Sequence, residues 1–200
     1  MKCRILLLPL AIAAGAAAGA CGNPNSTSAT VANRDDTAGV FALTGAPTSG
    51  PTAVDIWLGR PMRAAPNTSE HWDVVFDIDS TQAIAMPPSV VAWNPAFSAG
   101  FQATTMPYDQ ITVAPTSGYH DSTALNIQAG TVFFIQSFTY GCATQSVVAR
   151  RYAYAKMIID SVHYYPYDPD TAPAGRVIYY RMRSDPNCGF TSLESGLPTF

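Results

Sequence analysis

The sequence predicts an all-β domain, an antiparallel sheet or sandwich, that follows a targeting segment and a disordered tether. Its later part is rich in Val, Ile, Thr, Tyr and Phe and is often interrupted by Pro, Gly, Asn and Asp. This composition is typical of short strands joined by turns. No hydrophobic pattern with a helical period runs beyond two turns, and no internal repeat is evident. We therefore expect a single β-rich domain.

The first 20 residues predict a secretory signal. Lys2 and Arg4 precede the uncharged run ILLLPLAIAAGAAAGA, which ends in small residues next to Cys21. Such a segment is removed on maturation. AAGAC resembles a bacterial lipobox, so we expect Cys21 to be lipidated and to anchor the protein stably. Gly22 favours passage to the outer membrane or cell surface, whereas an ordinary signal cut nearby would leave Cys21 as a free thiol.

Residues 21–39 predict a flexible tether, because GNPNSTSATVANRDDTAG is polar, built of small residues and without periodicity. The folded domain is expected over residues 40–200. The strand-forming runs in it are VFAL (40–43), AVDIWLG (53–59), HWDVVFDID (71–79), QITVAP (110–115), TVFFIQSFTY (131–140), ARRYAYAKMIIDSVHYY (149–165) and RVIYYRMRS (176–184). We expect the last three to form a C-terminal meander, with 131–140 as a central strand. Residues 80–130 are rich in Pro and Gly and predict long loops.

HWDVVFDID predicts a strand that is buried on one side. Alternation puts Trp72, Val74, Phe76 and Ile78 on one face, and His71, Asp73, Val75, Asp77 and Asp79 on the other. The acids recur about every 7 Å along one face, the ordinary two-residue repeat of a strand. They therefore do not converge on a cation by themselves. We interpret Asp73 as a structural partner at the strand start, and His71 as an outside candidate for a ligand.

Cys142 and Cys188 form an even pair once Cys3 in the signal and Cys21 at the anchor are set aside. In an exported protein such a pair predicts a disulfide. In the predicted meander, one strand runs away from Cys142 and the next returns toward Cys188. Both cysteines should then lie at the same end of the sheet, while a reactive thiol or metal pair is the alternative.

Several classes of function lack support. The net charge is −3 with no extended basic patch, so nucleic acid is not an expected partner. The three histidines show no zinc-site spacing, and no nucleophile elbow, phosphate loop or dinucleotide fingerprint is present. DIDSTQAI (77–84) begins like a calcium loop but lacks its glycine and closing glutamate. We expect neither an enzyme nor a metal site.

Five segments resemble the HmuY-like heme-binding lipoproteins. They are WDVVF (72–76), AVDIWLGRPM (53–62), AGTVFFIQS (129–137), YAYAKMIIDSVHYY (152–165) and RVIYYRMR (176–183). Their order and spacing are similar to the family's over residues 50–185. The resemblance implies an all-β fold that holds heme iron between His or Met side chains, hands heme to an outer-membrane transporter and serves iron acquisition.

Heme needs an apolar slot, axial His or Met ligands, and cations near its propionates. Met86, Met106 and His120 lie in the loop-rich middle of the chain, and they are the candidate iron ligands together with His71. Two segments depart from the family: STQAIAMPPS (80–89) stands where Asn-Gly-Gly is common, and FTYGCATQSVVARR (138–151) is an insertion. The alternative is a surface lipoprotein of the same fold that binds another ligand or a protein partner.

Overall fold

The computed structural model describes residues 28–65, 70–79, 82–91, 98–139, 142, 151–164 and 176–198 of the 200-residue chain. Within these residues, ten strands form two antiparallel sheets. The strands are β1 (Arg34–Phe41), β2 (Ala53–Asp55), β3 (Arg60–Met62), β4 (Val74–Ile78), β5 (Ala83–Met86), β6 (Ser98–Thr104), β7 (Leu125–Ile127), β8 (Val132–Phe138), β9 (Tyr152–His163) and β10 (Val177–Asp185). A short helix, α1 (Pro88–Val91), and one 3-10 turn (Tyr108–Gln110) complete the regular structure described.

The two sheets confirm the all-β architecture. The first has the strand order β1-β10-β9-β8-β6, and the second has the order β3-β2-β4-β5-β7. Strands β8, β9 and β10 are consecutive neighbours, so the predicted C-terminal meander is confirmed. Strand β8 pairs with β9 on one edge and β6 on the other, as expected for a strand apolar on both faces.

The core lies between the two sheets. Val74, Phe76 and Ile78 of β4 belong to the same buried cluster as Met157 of β9 and Tyr180 of β10. The rings of Phe76 and Tyr180 stack with their centroids 6.4 Å apart. Because alternate strand residues point to one face, each sheet supplies one apolar surface to this cluster. Burial of these surfaces is the main stabilising contribution.

The outer face of the first sheet is also covered. Val132, Phe134 and Tyr154 pack there against Ile111 and Leu193 in a second buried cluster. The segments around residues 111 and 193 therefore lie over the sheet and shield it from solvent. This explains why β8 is apolar on both faces.

The folded domain begins earlier than the sequence predicted. Strand Arg34–Phe41 pairs with β10 along its whole length, and Asn33 N donates to Gly196 O at 2.8 Å. The later residues of the predicted tether are thus part of the first sheet. Their polarity suits an edge strand, since the side chain of Asp35 pairs with Arg183 at 2.6 Å. The predicted signal, residues 1–20, and Cys21 lie outside the described residues.

The middle of the chain holds more regular structure than predicted. Residues 80–130 were expected to be loops, yet β5, α1, β6 and β7 lie there. A strand such as SAGFQAT, which has only one aromatic and one β-branched residue among Ser, Ala, Gly and Gln, carries few of the side chains that mark strands in a sequence. Conversely, QITVAP is not a strand: Gln110 ends the 3-10 turn, and Val113 forms an isolated bridge to Ser192.

Strand β4 corrects the predicted division of faces. Val74, Phe76 and Ile78 face the core as expected, but Trp72 packs with Val75 in a third buried cluster. Trp72 precedes the strand, so the alternation does not extend to it. The opposite face is not an exposed acidic one either, because Asp73 is fully buried.

The predicted disulfide is confirmed. Cys142 and Cys188 are bonded, with their Cα atoms 5.4 Å apart. Cys142 follows β8 and Cys188 follows β10. These two strands run in the same direction and finish at the same end of the sheet. In the part of the chain that is described, no helix has the length and apolar character needed to cross a membrane.

Candidate functional site: a cleft beside the start of strand β4

The turn between β2 and β3 forms one wall of the site. Asp55 ends β2, and its Oδ1 accepts a hydrogen bond from Leu58 N at 2.9 Å. Gly59 N donates to Asp55 O at 2.9 Å, and Gly59 has a φ of 63°. Glycine adopts this left-handed conformation without the steric cost that other residues meet. The acid and the glycine together hold the turn so that Trp57 and Leu58 face the site.

Asp73 anchors the other wall. Its backbone N–H donates to Val54 O at 2.9 Å, which joins the segment before β4 to β2. Its carboxylate accepts a hydrogen bond from Ile56 N at 2.7 Å and another from the hydroxyl of Ser137 on β8. These bonds tie both sheets to one buried side chain, and they confirm the interpretation of Asp73 as a structural partner at the strand start.

His71 lies between two carboxylates. Its Nε2 is 3.2 Å from Oδ1 of Asp73, and its Nδ1 is 3.6 Å from Oδ2 of Asp55. One donor atom from each of these three residues lies within 4.8 Å of the others. Of the acids in HWDVVFDID, Asp73 belongs to this group. The convergence arises because β2 brings Asp55 to the same place.

Electrostatics couple the three side chains. Burial lowers the pKa of His71, but the charge of Asp73 and the side chain of Asp55 outweigh burial and raise it overall. Burial raises the pKa of Asp73 to about 6, although the charge of His71 and the hydrogen bonds from Ser137 and Ile56 oppose that rise. The imidazole therefore carries a proton readily in this setting, and it offsets part of the cost of burying two acids.

A cleft of about 270 Å³ opens onto His71 and Asp55. Its lining combines apolar side chains with ionisable ones. The lining residues are Asp55, Trp57, Leu58, Arg60, Met62, Glu70, His71 and Thr139. An apolar concave surface with a few polar groups at fixed positions is typical of a ligand-binding site.

The four predicted iron ligands lie in four different parts of the structure. His71 lines this cleft, while Met86 packs against the buried cluster around Trp72. Met106 is 48 % exposed, just after β6. His120 is exposed and forms an isolated bridge to Phe101 of β6. Of the four, only His71 belongs to either of the two clefts described.

A second, smaller cleft lies beside His120 but does not include it. Its volume is about 160 Å³, and Tyr119 and Asp121, the neighbours of His120, both line it. The hydroxyl of Tyr119 donates to Pro115 O at 2.8 Å, so this ring is held by its own loop. The cleft is smaller and mostly polar in its lining, and its described lining residues include no imidazole, thioether or thiol group.

Ser137, Asp73 and His71 do not form a hydrolytic triad. In a triad the histidine lies between the serine and the acid and takes the proton of the hydroxyl. Here the acid lies in the middle: Ser137 donates to Asp73, and Asp73 faces His71. Ser137 is also fully buried. Its hydroxyl cannot meet a substrate in this arrangement.

Sequence reasoning missed Asp55 and passed over Met62. The signal for Asp55 was an acid inside the apolar run AVDIW, where a charge is costly unless it is paired.

A comparison with models of known protein families and a search of curated proteins found no match to this chain. The HmuY-like resemblance stays a prediction.

Proposed function

We propose that this chain is an exported, lipid-anchored binding protein that holds its ligand in the cleft around His71 and catalyses no reaction. The observation that carries the proposal is the cleft itself. Trp57, Leu58 and Met62 give it an apolar wall, while Arg60 and His71 add ionisable groups beside it. Specific binding sites for small molecules have this combination of apolar surface and a few positioned polar groups.

Two observations support the absence of catalysis and the export. The hydroxyl of Ser137 is fully buried and already donates to Asp73, so it is not placed to attack a substrate. The bond between Cys142 and Cys188 suits an oxidising compartment outside the cytoplasm. Lipidation of Cys21 is tested by labelling cells with a radioactive fatty acid. We expect label on the protein and none on the Cys21→Ser variant, and equal labelling of both would contradict the anchor.

Heme is the ligand that the HmuY-like resemblance implies, and one observation favours it here. Met62 and His71 line the same cleft, and a thioether and an imidazole are donor groups that heme iron accepts. Arg60 lies on the same cleft and would pair with a propionate. These residues, rather than Met86, Met106 or His120, would hold the group. An outer-membrane transporter would then be the receiving partner.

Titration of hemin into the purified, untagged protein tests heme binding. We expect a sharp Soret band that saturates at one equivalent of hemin, together with quenching of Trp57 fluorescence. His71→Gln and Met62→Leu should each weaken or shift the band, because each removes one donor to the iron. The matched controls are His120→Gln and Met106→Leu, which change the same residue types outside the cleft and should leave the band unchanged.

A broad band that never saturates would remove heme as the ligand. Loss of the band in His120→Gln or Met106→Leu, with His71→Gln unaffected, would move the heme site to the predicted loop residues and away from this cleft.

A further inference from the structure

The two nitrogens of His71 have unlike partners. Nε2 is 3.2 Å from Oδ1 of Asp73, whereas Nδ1 is 3.6 Å from Oδ2 of Asp55. A charge-assisted hydrogen bond between nitrogen and carboxylate usually spans about 2.7 to 2.9 Å. The Nδ1–Oδ2 separation is longer than that, and both His71 and Asp55 line the cleft.

That separation fits two ligands of one metal ion. Zinc binds imidazole nitrogen and carboxylate oxygen at about 2.0 to 2.2 Å, so two ligands of a tetrahedral ion lie about 3.3 to 3.6 Å apart. We propose that a divalent first-row transition-metal ion binds between Nδ1 of His71 and Oδ2 of Asp55. The proposal rests on the proposed function, because the ion reaches this position through the same cleft, where it and heme iron would compete for His71.

Asp73 occupies the place of a positioning residue. A histidine that binds a metal usually donates its other ring N–H to a carboxylate, which fixes the tautomer and the direction of the ring. Asp73 Oδ1 stands at that other nitrogen. Ile56 N and the hydroxyl of Ser137 hold the carboxylate in place, and Asp73 is fully buried. His71 is thereby held where it lines the cleft.

The charge around the position favours a cation. Asp55, Glu70 and Asp73 supply three carboxylates, and Arg60 is the one lysine or arginine among the described residues that line the cleft. The metal ion would take the place of the proton that His71 otherwise carries. Glu70 lies on the same cleft and is exposed, so it can supply a further oxygen ligand. Imidazole together with carboxylate suits zinc, nickel, copper and iron better than calcium, which takes only oxygen ligands.

Zinc titration tests the site on untagged protein in which Cys3 and Cys21 are replaced by serine, so that neither a tag nor a free thiol binds the ion. Long-range ¹H–¹⁵N spectra report the three histidines separately. We expect one Zn²⁺ per chain by calorimetry and a zinc-dependent shift of the His71 ring signals, with His120 and His163 unchanged.

Single substitutions distinguish the two metal ligands, His71 and Asp55, from the positioning residue, Asp73. His71→Gln should abolish binding, and Asp55→Asn should weaken it at least tenfold while its remaining oxygen still accepts from Leu58 N. Asp73→Asn should weaken binding about 10- to 100-fold, as the loss of an outer carboxylate does elsewhere, and should change the tautomer signature of His71. His163→Gln and Asp160→Asn change an exposed histidine and an exposed acid on β9, and should leave zinc binding unchanged.

Near-UV circular dichroism and the thermal midpoint show whether each variant is folded. If His71→Gln does not fold, Asp55→Asn still decides the outcome. Equal zinc affinity in Asp55→Asn and the parent protein, or a zinc shift at His120 or His163 instead of His71, would overturn the proposal. A protein that binds hemin in the cleft but no zinc would lose this inference and keep the proposed function, whereas one that binds neither would lose both.

Discussion

The ammonium nitrogen of Lys156 lies 2.7 Å from the carbonyl oxygen of Ile111 and 3.0 Å from that of Tyr108. It also stands 4.5 Å from the centre of the Tyr108 ring, and Lys156 is only 3 % exposed. One buried cation on β9 thus fastens the 3-10 turn to the outer face of the first sheet. We expect Lys156→Met to lower the free energy of unfolding by about 2 kcal/mol, because both carbonyls lose a charged donor. Urea denaturation measures the change.

Arg181→Met is the matched control for Lys156→Met. Arg181 lies 5.5 Å from the same Tyr108 ring, but its side chain is 44 % exposed and its ion pair with Asp160 is at the surface. Surface ion pairs contribute little, so we expect a loss below about 1 kcal/mol. An equal loss in both variants would mean that the carbonyl contacts of Lys156 do not stabilise the turn.

Asp73→Ala should be strongly destabilising. The change leaves Ile56 N and the Ser137 hydroxyl without their acceptor, and it leaves His71 without one of its two carboxylates. Removing one partner of a buried charged network costs about 3 to 5 kcal/mol. Denaturant titration measures it, with Asp77→Ala on the same strand as the control. Asp77 bonds Thr44 at the surface, so its loss should cost far less.

Asp185 should make stability depend on pH. Its Oδ1 accepts hydrogen bonds from Asn187 N at 2.8 Å and Asn187 Nδ2 at 2.7 Å, whereas Oδ2 has no hydrogen-bond partner among the described residues. Burial raises the pKa of this carboxyl from 3.8 to about 6, although the bonds from Asn187 oppose the rise. The folded protein therefore holds the proton more tightly than the unfolded chain does.

The direction in which the free energy of unfolding changes with pH follows from that difference in proton affinity. The folded state binds more protons than the unfolded state between about pH 4 and pH 6, so the free energy of unfolding falls as the pH rises through this window. A pKa difference of about two units corresponds to a loss of about 3 kcal/mol, complete above about pH 6. Asp185→Asn retains an oxygen for Asn187 but carries no charge.

Denaturation of parent and variant at several pH values tests the role of Asp185. We expect the Asp185→Asn variant to gain stability relative to the parent as the pH is raised from 4 to 7. Both proteins contain the same other titrating groups, including Asp73, so the contributions of those groups cancel in the difference between the two free energies of unfolding. A difference that stays constant across this range would show that Asp185 does not titrate with a raised pKa.

Gly59→Ala should disturb the wall of the cleft. Gly59 has a φ of 63°, and an added Cβ would lie 3.0 Å from Cδ of Arg34 and 3.1 Å from its Cβ. Gly130→Ala is the control, since Gly130 has a φ of 85° but nothing within 4 Å of an added Cβ. Both variants should lose about 1 kcal/mol through the backbone conformation. Gly59→Ala should lose more through the crowding of Arg34, as measured by thermal midpoints, and equal losses would contradict this.

The sequence predicted the C-terminal half of the fold well because the strands there have strong local sequence signals. Runs such as TVFFIQSFTY are long, branched and aromatic, and the meander that they form needs only short connections. The strands SAGFQAT and LNI escaped notice because the partners across the sheet, rather than local propensity, hold them in place. The same holds for RDDTAGVF, whose polar residues fit an edge strand only because β10 carries Arg183 opposite.

The candidate site was only partly accessible from sequence. His71 and Asp73 are neighbours in HWDVVFDID, and their chemistry was visible there. Asp55 comes from β2, and the pairing of Val54 with Val74 brings it beside them. Such a pairing between separate strands follows from tertiary packing and has no local signature. Met62 belongs to the cleft for the same reason, because β3 pairs with β2.

The pairing of β1 with β10 determines when, during synthesis, β1 can join the first sheet. Arg34 lies opposite Ser184, so among the described strands the first one made has the last one made as its neighbour in the first sheet. A ribosome delivers β1 more than a hundred residues before β10 exists. Until then β1 has an open edge, and contacts so distant in sequence form slowly. Pairing of β1 within the first sheet must therefore await the synthesis of β10, and a chain truncated before β10 would leave β1 without its strand partner.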